Sequence, residues 1–204
     1  YTIEGVYDAL RRNRNGVISP TASGKSLMIY AVVRYHVDKG RKILVVVPTT
    51  SLVDQLVSDF RDYGWDSDSY CHKIYAGCEK QTDLPVTVTT WQSIYKLERS
   101  YFEDFDVVIG DEAHLFKSKS LITIMTHLHH TKYRYGFTGT LDGTQTHKWV
   151  LEGLFGPCYR VTRTKELMEK GHVSDLEIRC LILKHTPKKF DTYEDEIQYL
   201  IGHE

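Results

Sequence analysis

Gly16-Val17-Ile18-Ser19-Pro20-Thr21-Ala22-Ser23-Gly24-Lys25-Ser26 is the stretch whose reading decides the fold. Gly16 to Ser19 read as a short buried strand, which Pro20 cannot continue because it has no backbone N–H to donate to a neighbour. Small residues then carry the chain through a turn to Gly24, and a helix is expected from Lys25 to Val37. A strand, a small-residue turn and a helix in that order gather unpaired N–H groups at a helix N-terminus, where the helix dipole helps them hold a phosphate. Pro20, Thr21, Ala22, Ser23, Gly24, Lys25 and Ser26 are therefore the expected nucleotide-binding set. Lys25 would reach the terminal phosphates, and Ser26 would offer its hydroxyl to Mg²⁺. The strict form of such a loop has a glycine where this chain has Ser19.

Working outward, the same alternation repeats. Ile3, Val6, Tyr7 and Leu10 recur at helical spacing ahead of the loop, and this helix runs into the basic cluster Arg11, Arg12, Arg14. Ile43-Leu44-Val45-Val46-Val47, stopped by Pro48, reads as a strand buried on both faces, the mark of a central strand in a parallel sheet. Leu52, Leu56, Val57 and Phe60 give the following helix its apolar stripe. Further strands are predicted at Lys73 to Tyr75, Val86 to Thr89, Val107 to Ile109 and Tyr133 to Phe137. The pattern is α/β, a mostly parallel sheet with helices on both faces, and its ligand belongs at the carboxyl ends of the strands. After Phe155-Gly156-Pro157 come a short strand (Tyr159 to Thr162), a helix (Lys165 to Lys170), an alternating run from Val173 to Leu183, and a charged tail from Pro187.

A second chemical signal follows the strand at Val107. In Asp111-Glu112-Ala113-His114, a carboxylate at a strand end is where hydrated Mg²⁺ needs a protein partner besides Ser26, and Asp111 fits that place. Glu112 is the candidate base that polarises the attacking water. By itself an acidic turn after a strand says little; behind a Gly-Lys-Ser loop it points to nucleotide hydrolysis.

These motifs resemble those of the superfamily 2 helicases, in which four signatures occur in the order found here: Pro20 to Ser26, Pro48-Thr49-Thr50-Ser51-Leu52-Val53-Asp54-Gln55, Asp111 to His114, and Thr138-Gly139-Thr140. Thr90-Trp91-Gln92, Gly136 to Leu141 and Phe155-Gly156-Pro157 look most like the UvsW helicases of T4-type phages, and more distantly like XPB-type helicases and type III restriction motor subunits. The resemblance implies a RecA-like P-loop NTPase domain over residues 1–160, with 161–204 leading to a second RecA-like domain downstream, and an ATP-dependent motor acting on single-stranded or branched DNA with ATP and Mg²⁺. It implies catalytic work for Lys25, Asp111, Glu112 and His114, and coupling of the nucleotide site to the DNA path by Thr138 and Thr140, with His114 as partner. Thr49, Thr50 and Thr90 resemble phosphate-backbone contacts, and Trp91 lies beside the last of them. Helix capping explains the same threonines equally well, since both uses draw on the same exposed N–H groups. Members of the superfamily often read adenine with a glutamine upstream of the loop; Thr2 stands in that place, which leaves adenine selectivity open.

The remaining features narrow the reading. A net charge of -1 gives no global basic field, so any DNA contact must be local. Cys71, Cys78, Cys158 and Cys180 show no zinc or disulfide spacing, which suits a reducing cytoplasm, that of a bacterial host if the chain is phage-encoded. No apolar run approaches the roughly 20 residues that span a bilayer, so no membrane partner is expected. The chain opens at Tyr1 without an initiator Met, so residues upstream are expected. His127, His129 and His130 follow a helical apolar pattern and lack paired ligands at zinc spacing, so packing is the better reading than metal. Trp65, Trp91 and Trp149 read first as packing residues, with stacking on bases the other use. No motif of the QxxGRxxR kind is present to supply an arginine finger; were one hidden in this chain, Arg134 and Arg163 would be the first to test. The alternatives are the motor part of a type III-like restriction enzyme, a P-loop phosphotransferase that does not act on nucleic acid, and a non-catalytic, nucleotide-gated DNA-binding module.

Overall fold

The computed structural model describes residues 2–20, 22–75, 78–141, 144–171, 174 and 189–202, without the side chains of 145 and 146. Tyr1, Thr21, Cys180, Pro187 and the run from Val173 to Leu183 lie outside the described residues, Ser174 apart. Residues 1–174 and 175–204 form two units.

The five apolar residues Ile43–Val47 form β2 and are all buried. Beside β2 stand β4 (Val86–Thr90) and β5 (Val107–Asp111); outward from these lie β3 (Cys71–Ile74) on one side and β6 (Tyr133–Thr138), β1 (Arg14–Ile18) and β7 (Cys158–Arg160) on the other. The seven-stranded order is β3-β4-β2-β5-β6-β1-β7, and every pairing is parallel. Parallel neighbours need crossovers, and α1 (Thr2–Arg11), α2 (Lys25–Val37), α3 (Thr50–Asp62), α4 (Trp91–Ile94), α5 (Arg99–Phe102), α6 (Lys119–His127) and α7 (Gln145–Phe155) supply the helices. α8 (Thr164–Glu169) follows β7.

Alternation along the strands sorts the core into two layers. Val17, Ile43, Val45, Val47, Val107, Ile109, Tyr135 and Phe137 meet α1, α2 and α3 residues such as Ala9, Met28, Val33, Val57 and Phe60. Leu44, Val46 and Val108 meet Ile94, Phe102, Ile124, Leu151 and Phe155 on the other face. Each large side chain so buried contributes roughly 1.5–3 kcal/mol. The expected sheet with helices on both faces is what the chain builds.

Three polar residues are buried in this core, each held by partners. Asn15 extends β1 toward its start: its Nδ2 donates to the Ala9 carbonyl at 2.8 Å and so ties down the end of α1. Arg134, 7% exposed, donates to the carbonyls of Leu128 (2.7 Å) and Thr131 (3.3 Å) at the amino end of β6. That places it on the edge of the sheet opposite the phosphate loop, so it is a structural residue and no arginine finger. His36 is wholly buried: Arg41 Nη1 donates to its Nδ1 (2.8 Å), and its Nε2–H donates to the Tyr135 hydroxyl (3.0 Å). Burial, aided by the charge of Arg41, pushes its pKa down to about 4, which keeps the ring neutral at physiological pH.

In the second unit the described residues form α9 (Tyr193–Ile201), where Thr192 caps the Asp195 N–H at 3.2 Å and three acidic residues occupy the first turn. The acidic charge at the start of this tail thus marks a helix start.

Gly110 and Gly136 are required for contact between the sheet and α7. A Cβ on Gly110 would stand 2.7 Å from Phe116 Cζ, and one on Gly136 would stand 2.9 Å from the Phe155 ring. Gly153, exposed in α7, has nothing within 4 Å of such an atom. Gly110→Ala should therefore lower stability by about 1–3 kcal/mol through overpacking. Gly153→Ala should raise it by about 0.5–1 kcal/mol by removing helix-interior glycine. Urea unfolding of both variants checks the pair, and equal effects would contradict this packing.

Candidate active site

All the loops carrying the sequence motifs leave the sheet at its carboxyl edge. Ile18, the last residue of β1, lies opposite Thr138, the last of β6, and Asp111 at the end of β5 lies opposite Phe137. The phosphate loop, the Asp111 turn and Thr138 are therefore brought together by strand register alone.

Within the loop, Ser19 and Ser23 are fully buried with their hydroxyls 2.5 Å apart. Ser23 Oγ donates to the Pro20 carbonyl, so the Ser19 proton goes to Ser23. Where the strict pattern has glycine, this chain has a side chain turned inward that staples the turn. Gly24 takes φ 75° as the cap of α2, and Ala22 takes φ 62°. Thr2 packs against the turn: a Cβ on Gly24 would lie 3.3 Å from Thr2 Oγ1.

Lys25, at the start of α2, places its ammonium 3.0 Å from Asp111 Oδ1 and also bonds Glu112 Oε1. Burial opposes the charge on Lys25, but Asp111 and then Glu112 outweigh it and hold its pKa above the ordinary lysine value. Glu112 adopts φ 50°, and Ala22 is the only other non-glycine residue with positive φ among the described residues. Such a backbone costs on the order of 1–3 kcal/mol and is kept where surroundings impose it. Here the turn aims both carboxylates at Lys25, while the Glu112 N–H donates to Asp111 Oδ1 at 2.9 Å.

His114 links this charge cluster to the end of β6. Its Nδ1 lies 2.9 Å from Thr138 Oγ1 and 3.2 Å from Glu112 Oε2. Thr138 spends its own proton on the Thr140 carbonyl (2.8 Å), so Nδ1 of His114 must carry a proton and donate. His147 Nε2–H in turn donates to the His114 carbonyl at 2.9 Å, a support from α7 that no motif announced. The expected partnership of His114 with Thr138 and Thr140 is present as a chain of hydrogen bonds.

Ser26 faces elsewhere. Its hydroxyl lies 2.8 Å from the Tyr63 hydroxyl and is also hydrogen-bonded to Asp59. Burial sets the Asp59 carboxyl above its usual range in spite of that bond, with Asp62 adding to the rise. Tyr63 and Asp59 sit at the far end of the next helix, outside any loop spacing, so sequence offered no signal for them.

Of the expected DNA contacts, Thr49 and Thr50 are exposed at the start of α3, where Thr49 Oγ1 accepts the Leu52 N–H at 3.4 Å. Thr90 is only 3% exposed and its hydroxyl meets Ser93 Oγ at 3.0 Å. Trp91 is half-buried, packed edge-on to Tyr95 beside the second core layer. Among the described residues no group of three or more His, Cys, Asp or Glu could hold a metal. Nor is any helix among them long and apolar enough to cross a membrane.

Comparison with known proteins bears on this geometry. A family model described as type III restriction enzyme, res subunit, matches residues 2–143, which include every motif up to Thr140. The chain belongs to this family. Among curated relatives, the ATP-dependent DNA helicase UvsW of Enterobacteria phage T4 is 33% identical over 99% of this chain. The DNA 3'-5' translocase XPB2 of Sulfurisphaera tokodaii is 27% identical over 95% of it. The chain spans 42% of the length of each of these relatives. A crystal structure of the phage T4 UvsW helicase superposes with a TM-score of 0.71 at 34% identity, over 78% of this chain and 58% of that one. The Pyrococcus furiosus Hef helicase domain, at 20% identity and a TM-score of 0.66 over 79% of this chain and 37% of that one, shares the fold. The domain is RecA-like, of the superfamily 2 type.

Lys25→Ala should weaken Mg-nucleotide binding at least about tenfold, because it removes the positive charge and leaves two carboxylates facing the phosphates. Glu112→Gln should bind with affinity close to that of the parent chain, since the amide keeps the shape and removes a negative charge. Titration with a fluorescent ATP analogue compares the two; undiminished binding by Lys25→Ala would remove the loop from the site.

Proposed function

We propose that this chain is the nucleotide-binding half of an ATP-driven DNA motor. The observation that carries the reading is the unbroken connection Lys25–Glu112–His114–Thr138–Thr140, which joins a phosphate loop to the strand end through which such motors couple to their track. Family membership and likeness to helicases over nearly the whole chain support it.

In this reading Pro20 to Ser26 wrap the phosphates of ATP, with Thr21 included on the sequence pattern alone. Lys25 turns from the carboxylates to the β/γ-phosphates. Glu112, released from Lys25, accepts a proton from the attacking water. Asp111 and Ser26 are hard oxygen donors of the kind Mg²⁺ takes when phosphates and water complete its shell. Bound there, Mg²⁺ would supply neutralisation of charge on the phosphate oxygens. For Ser26 to take part its hydroxyl must leave Tyr63 and Asp59, a rotation of one side chain. Thr49 and Thr50 hold a DNA strand by its phosphates, which positions without reading sequence. Buried Thr90 and half-buried Trp91 set the loop that does the same from β4. Junction remodelling, as in UvsW-type helicases, is the substrate class that the resemblance favours, and the cytoplasm is the compartment.

Residues 1–160 carry the motor domain proper in this reading, 161–174 stay within the same compact unit, and the chain beyond them is the start of the link to a second RecA-like domain. That domain supplies the arginine finger, since Arg134 is committed to the amino edge and Arg163 caps α8 on the surface. A finger is worth on the order of 10³–10⁵ in rate. Residues 1–204 should therefore bind Mg-nucleotide but hydrolyse it near background, with DNA-stimulated turnover in the full-length protein that carries them. A steady-state ATPase assay with single-stranded, duplex and branched DNA tests this. Robust DNA-stimulated turnover by the 204-residue chain would overturn the two-domain reading, and full-length turnover indifferent to DNA would favour a phosphotransferase.

A further inference from the structure

The edge of the sheet opposite the nucleotide site carries positive charge that ion pairs among the described residues leave largely unmatched. Three connections meet there: α1 to β1 with Arg11, Arg12 and Arg14, α2 to β2 with Lys39 and Arg41, and α6 to β6 with Lys132. None of these six residues forms an ion pair with a carboxylate among the described residues. On the same edge Lys42 lies 4.0 Å from Asp104, and cations elsewhere, such as Arg61, Lys73, Lys148 and Lys165, are paired too.

Arg14, Lys132, Arg41 and Lys39 lie along one line of contacts, and Arg11 and Arg12 precede Arg14 in the chain. Arg14 Nη2 donates to the Thr131 carbonyl at 3.4 Å, next to Lys132. Lys132 and Arg41 both lie over the Tyr133 ring, at 5.4 and 4.1 Å from its centroid. Arg41 reaches His36, whose ring is 5.2 Å from that of Tyr35, and Lys39 lies over the Tyr35 ring at 5.8 Å. Arg12 is near enough to act on Tyr159. The acidic residues close by are Asp8, which like Arg12 acts on Tyr159, Asp38 at 4.0 Å from Arg34, Asp104 at 4.0 Å from Lys42, and Asp106, which accepts the Lys42 N–H. Helix C-termini favour a basic residue each, which accounts for Arg11 and for the cations following α2. It does not account for Arg14 or Lys132, which lie at strand starts beside a buried Arg134 that already disfavours more charge. In a chain of net charge -1, such a concentration is local and uncompensated.

Cations spread over three connections of an open edge, two of them held flat on one tyrosine, suit an extended polyanion. We propose that this amino edge is a second contact surface for the phosphate backbone of duplex DNA, on the side of the domain away from the nucleotide and from Thr49 and Thr50. The proposal rests on the DNA-motor reading above, and it adds a surface which that reading does not use. Through it the motor would hold a second duplex segment while the carboxyl edge tracks a strand.

The test uses the 204-residue chain, a short fluorescein-labelled duplex and anisotropy titrations between about 50 and about 200 mM salt, the range over which phosphate contacts weaken steeply. The variant Arg12→Ala/Lys39→Ala/Lys132→Ala removes three exposed cations without touching the Arg14 or Arg41 hydrogen bonds. It should lose duplex affinity about tenfold or more, with a log–log salt slope shallower by about 2–3, while Mg-nucleotide binding stays unchanged. Lys132→Glu alone should show a smaller loss in the same direction. Thr49→Ala/Thr50→Ala should lower affinity independently, so the two sets add. If the threonine pair weakens binding and the triple variant leaves affinity and slope unchanged, the second surface is wrong and the motor reading stands. If the parent chain binds no duplex at low salt, the second surface falls, and full-length ATPase with single-stranded DNA decides the motor reading separately. Loss of binding to a poly-glutamate probe with duplex affinity intact would make the edge a site for an acidic protein and overturn the proposal.

Discussion

The parallel pairing of β5, β6 and β1 is the constraint on which the rest of this structure depends. With Ile18 opposite Thr138 and Asp111 opposite Phe137, three segments far apart in sequence leave the sheet at one edge. A slip of one residue in either pairing would turn buried Val17, Ile109 and Phe137 to the other face, so the apolar pattern that builds the core also fixes the site. Gly110 and Gly136 belong to the same constraint: they let Phe116 and Phe155 close on the sheet directly beneath the Asp111 turn.

On that edge the energetics are those of charge held in tension. Lys25 is partly buried and stays protonated because Asp111 and Glu112 oppose the cost of burial. The positive φ of Ala22 and Glu112 is backbone strain at both sides of the same ion cluster. The hydrogen-bond chain through His114 then leads to Thr138, which connects the Lys25–Glu112 cluster to the end of β6. Ser26 is a counterweight, anchored to α3 by Tyr63 and Asp59.

Much of this was legible in sequence because a doubly wound sheet puts its chemistry at strand ends, where apolar runs stop and motif residues begin. Lys25, Asp111 and Glu112 could be named from their motifs, His114 and Thr138 from the family resemblance, and the central strand from five consecutive β-branched or leucine residues. What spacing could not carry were contacts made across helices. Tyr63 reaches Ser26 from the far end of α3, His147 reaches His114 from α7, and Ser19 replaces a glycine by bonding Ser23, each fixed by packing and not by periodicity. Burial of Thr90 and of Arg134 was hidden for the same reason, since a polar residue at a strand end reads as exposed until its neighbours are placed. The cluster Arg11, Arg12, Arg14 marked only the end of the first helix in the sequence, and the pairing of β1 with β6 brings it beside Lys132.

The central claim, that the carboxyl edge alone binds the metal-nucleotide, is tested most directly by paramagnetic NMR of the 204-residue chain with a Mn²⁺-loaded, non-hydrolysable ATP analogue. The account expects amide signals of Gly24, Lys25, Ser26, Glu112 and Thr138 to broaden beyond detection, while those of Leu128, Lys132 and Arg134 at the opposite edge persist. Broadening centred on the amino edge, or none near Lys25 and Glu112, would contradict it.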